Sequence, residues 1–152
     1  MLRGLVIAAV FAAALAFSTS ADAQKAEFGT AAEAKAMLEK VVAAMKADAA
    51  KTIVQINKGE GDFKDRDLYP VCSLDGKVIA NPDSSRIGLL RKDIKDSTGK
   101  AFGAEIESVA KEGTFAEVSY MFPRPGADKT PVAKVSFVTK AAGYVCIVGY
   151  YK

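Results

Sequence analysis

Tyr69-Pro70-Val71-Cys72-Ser73-Leu74-Asp75-Gly76-Lys77-Val78-Ile79-Ala80-Asn81-Pro82 is the stretch whose reading decides the fold. It reads as two short strands, 69–74 and 77–80, joined by a two-residue turn. Asp75-Gly76 suits a type I′ turn, in which both central residues take φ > 0. Asn81-Pro82 stops the second strand, since proline brings no N–H to a ladder. One long helical pattern precedes this hairpin and three strand-like runs follow it. The hairpin is therefore expected to be the first pair of a small antiparallel sheet.

Upstream, Thr30-Ala31-Ala32-Glu33 is a capping-box signature, with a hydroxyl for the N3 amide and a carboxylate that reaches back. Met37, Leu38, Val41, Val42, Met45, Ala49, Ile53 and Ile56 recur behind it at helical spacing, and Lys35, Glu39, Lys40, Lys46, Asp48 and Lys51 occupy much of the other face. Gly59 and Gly61 supply left-handed conformations that end a helix. One amphipathic helix over about 30–58 is predicted. Its apolar stripe suits either a partner helix or the protein's own sheet, and burial on the sheet is the more frequent use.

Downstream, 83–97 is irregular and polar, with Ile87, Leu89, Leu90 and Ile94 expected to pin it to the core. A shorter helix is read over 99–111, with Gly113 as its C′ residue. From Thr114 to Phe122 the chain alternates: Ala116, Val118, Tyr120 and Phe122 share one face, and Phe115, Glu117, Ser119 and Met121 the other. In 132–139, Lys134 and Ser136 oppose Val135 and Phe137. Ala141-Ala142-Gly143 makes a turn, and Tyr144 to Tyr151 is apolar on both faces, which places it centrally. Strands that cluster instead of alternating with helices indicate an α+β domain: a long N-terminal helix packed on a five-stranded antiparallel sheet.

The chain begins with Arg3, an apolar run from Leu5 to Phe17 and the small residues of Ala21-Asp22-Ala23. This reads as a signal peptide over 1–23, cleaved after Ala23, with one domain over 24–152 and export to the periplasm or beyond. The formal net charge of +3 is spread among acids, which argues against a nucleic-acid partner. Cys72 and Cys146 both lie in apolar runs. Export permits a disulfide between them, and two buried thiols are the alternative.

Histidine is absent from the sequence. Without it, Ser-His-Asp and Cys-His nucleophile pairs cannot form, and zinc loses its commonest nitrogen ligand. No glycine-rich phosphate loop is present. The chain is accordingly read as a non-enzyme with no cofactor and no metal. Its chemistry is expected on the second face of the sheet. There Tyr120 and Phe122 share a strand face, Lys134 on the next strand brings an ammonium beside them, Tyr69 begins the first strand and Asn81 ends the second. Aromatic walls with one cation and one amide suit a small carboxylate. The competing reading makes Tyr120 and Phe122 core, sends Lys134 to water and leaves Asn81 as a turn cap.

The hairpin of residues 69–82 resembles the signature of bacterial single Cache domains, PAS-like extracytoplasmic sensor modules. The similarity continues through Ile87-Gly88, Asp96-Ser97-Thr98-Gly99-Lys100-Ala101-Phe102, Gly113, Tyr120-Met121-Phe122-Pro123, Lys134-Val135-Ser136-Phe137-Val138 and the final strand. The resemblance implies that the last strand lies antiparallel beside the first, bringing Cys146 near Cys72. It also implies a small-metabolite ligand, often an organic acid, held by Tyr120, Phe122 and Lys134 with Tyr69 and Asn81 at the rim. Many relatives carry His in place of Asn81 and Trp in place of Phe122, so the ligand's identity does not carry over. With no output module after Lys152, a signal is expected to pass to another protein, such as a membrane-bound sensor or transporter. A contact module or accessory subunit with a vestigial pocket, in a homodimer, is the alternative.

Overall fold

The computed structural model describes residues 26–152. The signal-peptide reading of 1–23 lies outside them. Helix α1 (Ala31–Lys58) starts at a complete capping box: Glu33 N–H donates to Thr30 Oγ1, and Glu33 Oε2 accepts from Thr30 N–H at 2.8 Å. It ends at Gly59, in the left-handed conformation. The single continuous helix read from the sequence is in fact broken once. Asp48 is extended (φ −158°, ψ 93°), and its Oδ1 accepts from Lys51 N–H at 3.0 Å, so it acts as an N-cap inside the helix. Beyond the break, Thr52 and Ile56 are the buried residues, while Ala49 and Ile53 are half-buried.

Strands β1 (Pro70–Leu74), β2 (Lys77–Ala80), β3 (Ala116–Pro123), β4 (Pro131–Ala141) and β5 (Tyr144–Tyr151) form one antiparallel sheet in the order β2-β1-β5-β4-β3. Asp75 (φ 49°) and Gly76 (φ 74°) make the hairpin turn as the sequence requires. β5 is central and covered on both faces. On one side Cys146 and Val148 join Met37, Leu38, Val41, Met45 and Phe137 under α1. On the other, Val145 and Ile147 join Val71, Val78, Val118 and Tyr120. There the cover is helix α2 (Phe102–Val109), through Phe102 and Ile106. Cys72 and Cys146 are direct partners in the β1–β5 ladder and are joined by a disulfide on the α1 side of the sheet.

Two expectations need correction. α2 ends at Val109, with Ala110 already extended, so Gly113 (φ 71°) is not its C′ residue and belongs to the turn before β3. Ile87, Leu89 and Leu90 do not pin the irregular segment: they are 39%, 42% and 41% exposed, and only Ile94 is partly buried. The backbone holds that segment instead. Leu89 C=O accepts from Val78 N–H (2.9 Å), Gly88 N–H donates to Val78 C=O (2.8 Å) and Arg91 N–H donates to Gly76 C=O (2.8 Å). The segment thus blunts the outer edge of β2, while the side chain that turns inward is Arg91, 2% exposed.

Asp96 fastens the far end of the same segment to the other sheet edge. Its Oδ2 accepts from Met121 N–H (3.0 Å) and its Oδ1 from the Thr98 and Lys100 N–H groups and the Thr98 hydroxyl. The Met121 amide first, then the Thr98 hydroxyl, pull its pKa down to about 2. A carboxylate depressed in the fold stabilises it fully above the ordinary Asp value and loses that contribution as pH falls toward the folded value. Wild-type stability should therefore drop between about pH 4 and pH 2. Asp96→Asn should flatten that part of a urea-melt profile against pH, and an unchanged slope would assign the acid sensitivity elsewhere.

Candidate ligand pocket

Every second residue of β1, β3, β4 and β5 faces α2, and the strand order sets Tyr69, Tyr120, Phe122, Lys134 and Ser136 around one hollow between the sheet and the segment 81–102. It measures about 490 Å³ counting its open mouth. All five residues picked out from the sequence, namely Tyr69, Asn81, Tyr120, Phe122 and Lys134, line it. Asn81 is at the rim, where its Oδ1 accepts from Asp83 N–H (2.9 Å), so the turn-cap role is also real and only its amide NH₂ is left for a ligand.

Lys134 is 4% exposed. It does not reach solvent. Its Nζ donates to Tyr69 Oη and Tyr151 Oη, each at 3.2 Å, and lies 4.5, 4.6 and 5.3 Å from the ring centroids of Tyr69, Tyr151 and Phe122. Among the described residues no carboxylate comes within ion-pair distance of it. Burial is the largest influence and opposes its charge; what moves its pKa above the ordinary lysine value is chiefly the negative charge that Tyr120, Tyr69 and Tyr151 carry only when their phenols are ionised. Burial in turn pushes the Tyr151 phenol up, against the pull of Lys134. The group presented to the hollow is thus a lysine head held among phenol oxygens and ring faces.

The remaining walls are stiff. Phe102 stacks on Tyr120 with centroids 4.0 Å apart and planes 6° from parallel, and Phe122 stands edge-on to both at 6.1 Å. Tyr120 Oη and Ser136 Oγ share a hydrogen bond of 2.7 Å. The residue that the sequence reading missed is Arg91. Its Nε meets Glu107 Oε1 (3.0 Å) and Ser73 Oγ (3.1 Å), and one Nη donates to Val71 C=O (3.4 Å). Burial lowers its pKa, while Glu107 opposes that shift. Already neutralised, it shapes the wall and supplies less unbalanced charge than Lys134. Its signal was one charged residue directly after the apolar pair Leu89-Leu90. Among the described residues no three His, Cys, Asp or Glu side chains gather as metal ligands, and no helix is long and apolar enough to cross a membrane.

The family model described as Single Cache domain 2 matches residues 23–151. This chain belongs to the single Cache domain 2 family. None of the curated proteins matches it. Among solved structures, a periplasmic sensor domain of a chemotaxis protein superposes with a TM-score of 0.59 at 21% identity, over 78% of this chain and 87% of the other. A methyl-accepting chemotaxis protein of Vibrio parahaemolyticus gives 0.63 at 18% identity, over 79% and 86%. A Cache chemosensory domain, described in terms of carboxylic acid recognition, gives 0.53 at 23% identity, over 78% and 85%. At these identities the likeness is one of fold. It matches the five-stranded antiparallel sheet with one long and one short helix described above.

Within this Cache domain the floor of the pocket is set by Gly149 on β5. A Cβ there would stand 2.4 Å from Lys134 Cε and 2.5 Å from Ser136 Oγ. The lysine stem runs across bare backbone, which only glycine leaves free. Gly149→Ala should push the ammonium from its seat and weaken an anionic ligand about tenfold, in line with overpacking costs of about 1–3 kcal/mol. Titration calorimetry beside a thermal melt would check it, and full affinity would mean that the stem has room to spare.

Proposed function

We propose that this chain is an exported sensory module whose pocket takes up a small organic acid without chemical conversion. The observation that carries the reading is Lys134: a cation enclosed by protein, with one donor to spare and no anionic partner beside it among the described residues. Enclosing such a group is costly unless something pairs with it, and a ligand carboxylate supplies that pairing. The aromatic walls account for a short apolar body next to the acid group. The hollow offers a lysine, phenols, the neutralised Arg91 and the more exposed Arg86 but no acid/base pair, so binding suits it better than catalysis. The matched chemotaxis structures support a sensory role and a periplasmic site of action. The bound state would then be read by a membrane-bound sensor or transporter.

The test is a thermal-shift and calorimetry panel of acetate, propionate, pyruvate, succinate and matched amines. Acids should raise the melting temperature and amines should not. An acid at a hundred times its Kd adds about 2.7 kcal/mol of stability. No response to any acid, or a response to amines instead, would remove the reading. A second reading, a contact module with a vestigial pocket, is favoured by the exposure of the large apolar side chains Leu74, Ile87, Leu89 and Leu90. It predicts association on sedimentation that is indifferent to acids.

A further inference from the structure

Arg124, directly after β3, does not line the hollow, yet it shares a ring with it. Its guanidinium carbon lies 4.9 Å from the Tyr151 ring centroid, and Lys134 Nζ lies 4.6 Å from the same centroid. The two cations are therefore no more than 9.5 Å apart, the sum of those distances. An upper bound on separation is a lower bound on repulsion, and this one falls within about one Debye length at 0.1 M salt.

Arg124 also holds the approach to α1. Its guanidinium carbon is 4.2 Å from the Phe28 ring centroid, and its Nε faces Asp67 Oδ2 at 3.5 Å. Asp67 is buried, and its Oδ1 accepts from Gly29 N–H at 2.7 Å. Gly29 is buried as well, in a seat with no room for a side chain: a Cβ would stand 2.2 Å from Leu68 Cγ. Yet Asp67 Oδ2 and Arg124 Nε, both shut from solvent, make no hydrogen bond among the described residues. A buried charge pair short of its hydrogen bonds calls for a cause.

We propose that Arg124 is a positioning residue in a relay: the charge of Lys134 holds it off Asp67, and neutralising that charge lets it close and tightens residues 26–29 on Asp67 and Leu68. An anion paired with Lys134 would do this, and that arm alone rests on the carboxylate reading. Removing the charge by substitution does the same with no ligand. The element with two states is the latch itself, Phe28 and Gly29 seated or released, and whatever seats it favours the anion in return.

The experiment is amide exchange at Gly29 N–H in the exported chain at low salt, for wild type, Lys134→Met (with Lys134→Gln as its alternate) and Arg124→Gln. Wild type is also measured with acetate, propionate, pyruvate and succinate. Lys134→Met should slow Gly29 exchange about fivefold or more, and an acid that binds wild type should do likewise. Arg124→Gln should speed it about tenfold and remove both responses. Phe28→Ala, at an exposed side chain, is the second variant should Arg124→Gln not fold. Gly88 N–H, bonded to Val78 C=O at 2.8 Å, is the reference, since a change in global stability moves both amides and the relay moves only Gly29. Equal changes at the two amides, or an unmoved Gly29 in Lys134→Met, would overturn the relay whether or not an acid binds. Slowed exchange at Gly29 alone in Lys134→Met, with no acid bound by wild type, would uphold the relay and remove the carboxylate reading.

Discussion

Lys134→Met should weaken acid binding by about 30-fold or more and leave the empty protein at least as stable as wild type. Methionine follows the lysine stem in length and flexibility and brings no charge into the enclosure. Its neighbours tolerate the loss: Tyr151 still donates to Pro123 C=O at 2.7 Å, and Tyr69 is only half-buried. Nothing polar is stranded, and the cost of holding an unpaired ammonium away from water disappears. An acid bound as proposed, by contrast, loses its charged partner at a buried position. A change of that kind is worth about 2–5 kcal/mol, a weakening of roughly 30-fold to several thousandfold. Calorimetry and melting temperature measured together separate the two effects. A variant that binds within about tenfold of wild type would show that the ammonium is structural, and one that unfolds would show that its phenol partners hold the sheet.

Loss of the Cys72–Cys146 bond should be the largest single blow to the fold. The bond closes a sequence separation of 74 residues, and restricting the unfolded chain over a loop of that length is worth about 4.5 kcal/mol in the loop-entropy account. For a domain of this size that corresponds to roughly 15 °C in melting temperature. Cys72→Ala with Cys146→Ala should show it. Both cysteines are fully buried, so a reductant thiolate cannot reach either sulfur in the folded protein. Dithiothreitol at moderate temperature should leave the bond intact and act only once the chain opens. A fall of less than about 5 °C in the double variant would mean that the two central strands hold without their staple.

Much of this was readable from residue order alone. The hairpin, the capped helix, the alternation of 116–122 and the two-sided apolarity of 144–151 each rest on local chemistry, and the sheet realised all four. Cys72 and Cys146 had two readings open, since register is a long-range property that a pair of apolar runs does not fix. The stretch after Pro82 was misread for a definite reason. Ile87, Leu89 and Leu90 were assigned inward by hydrophobicity, yet main-chain bonds to Gly76 and Val78 decide that segment's path. Once those bonds are made, Arg91 is the side chain directed at Ser73, Val71 C=O and Glu107. Likewise the break at Asp48 is one residue's extended backbone, which periodicity averages away. Lys134, Tyr120 and Phe122 were identified because adjacent strands carry them on matching faces. Arg86 lies on a short 3-10 turn, where no period exists to point to it.

The sulfur bridge also makes a closed covalent circuit of residues 72–146, and Asn81, Arg86, Tyr120, Phe122 and Lys134 all sit on it. One protease cut within that circuit, for example in the solvent-facing loop at 125–130, yields no separate fragments. The nicked molecule would run as a single band on a gel without reductant and as two bands with it, its pocket-lining residues still tethered to one another across the wound.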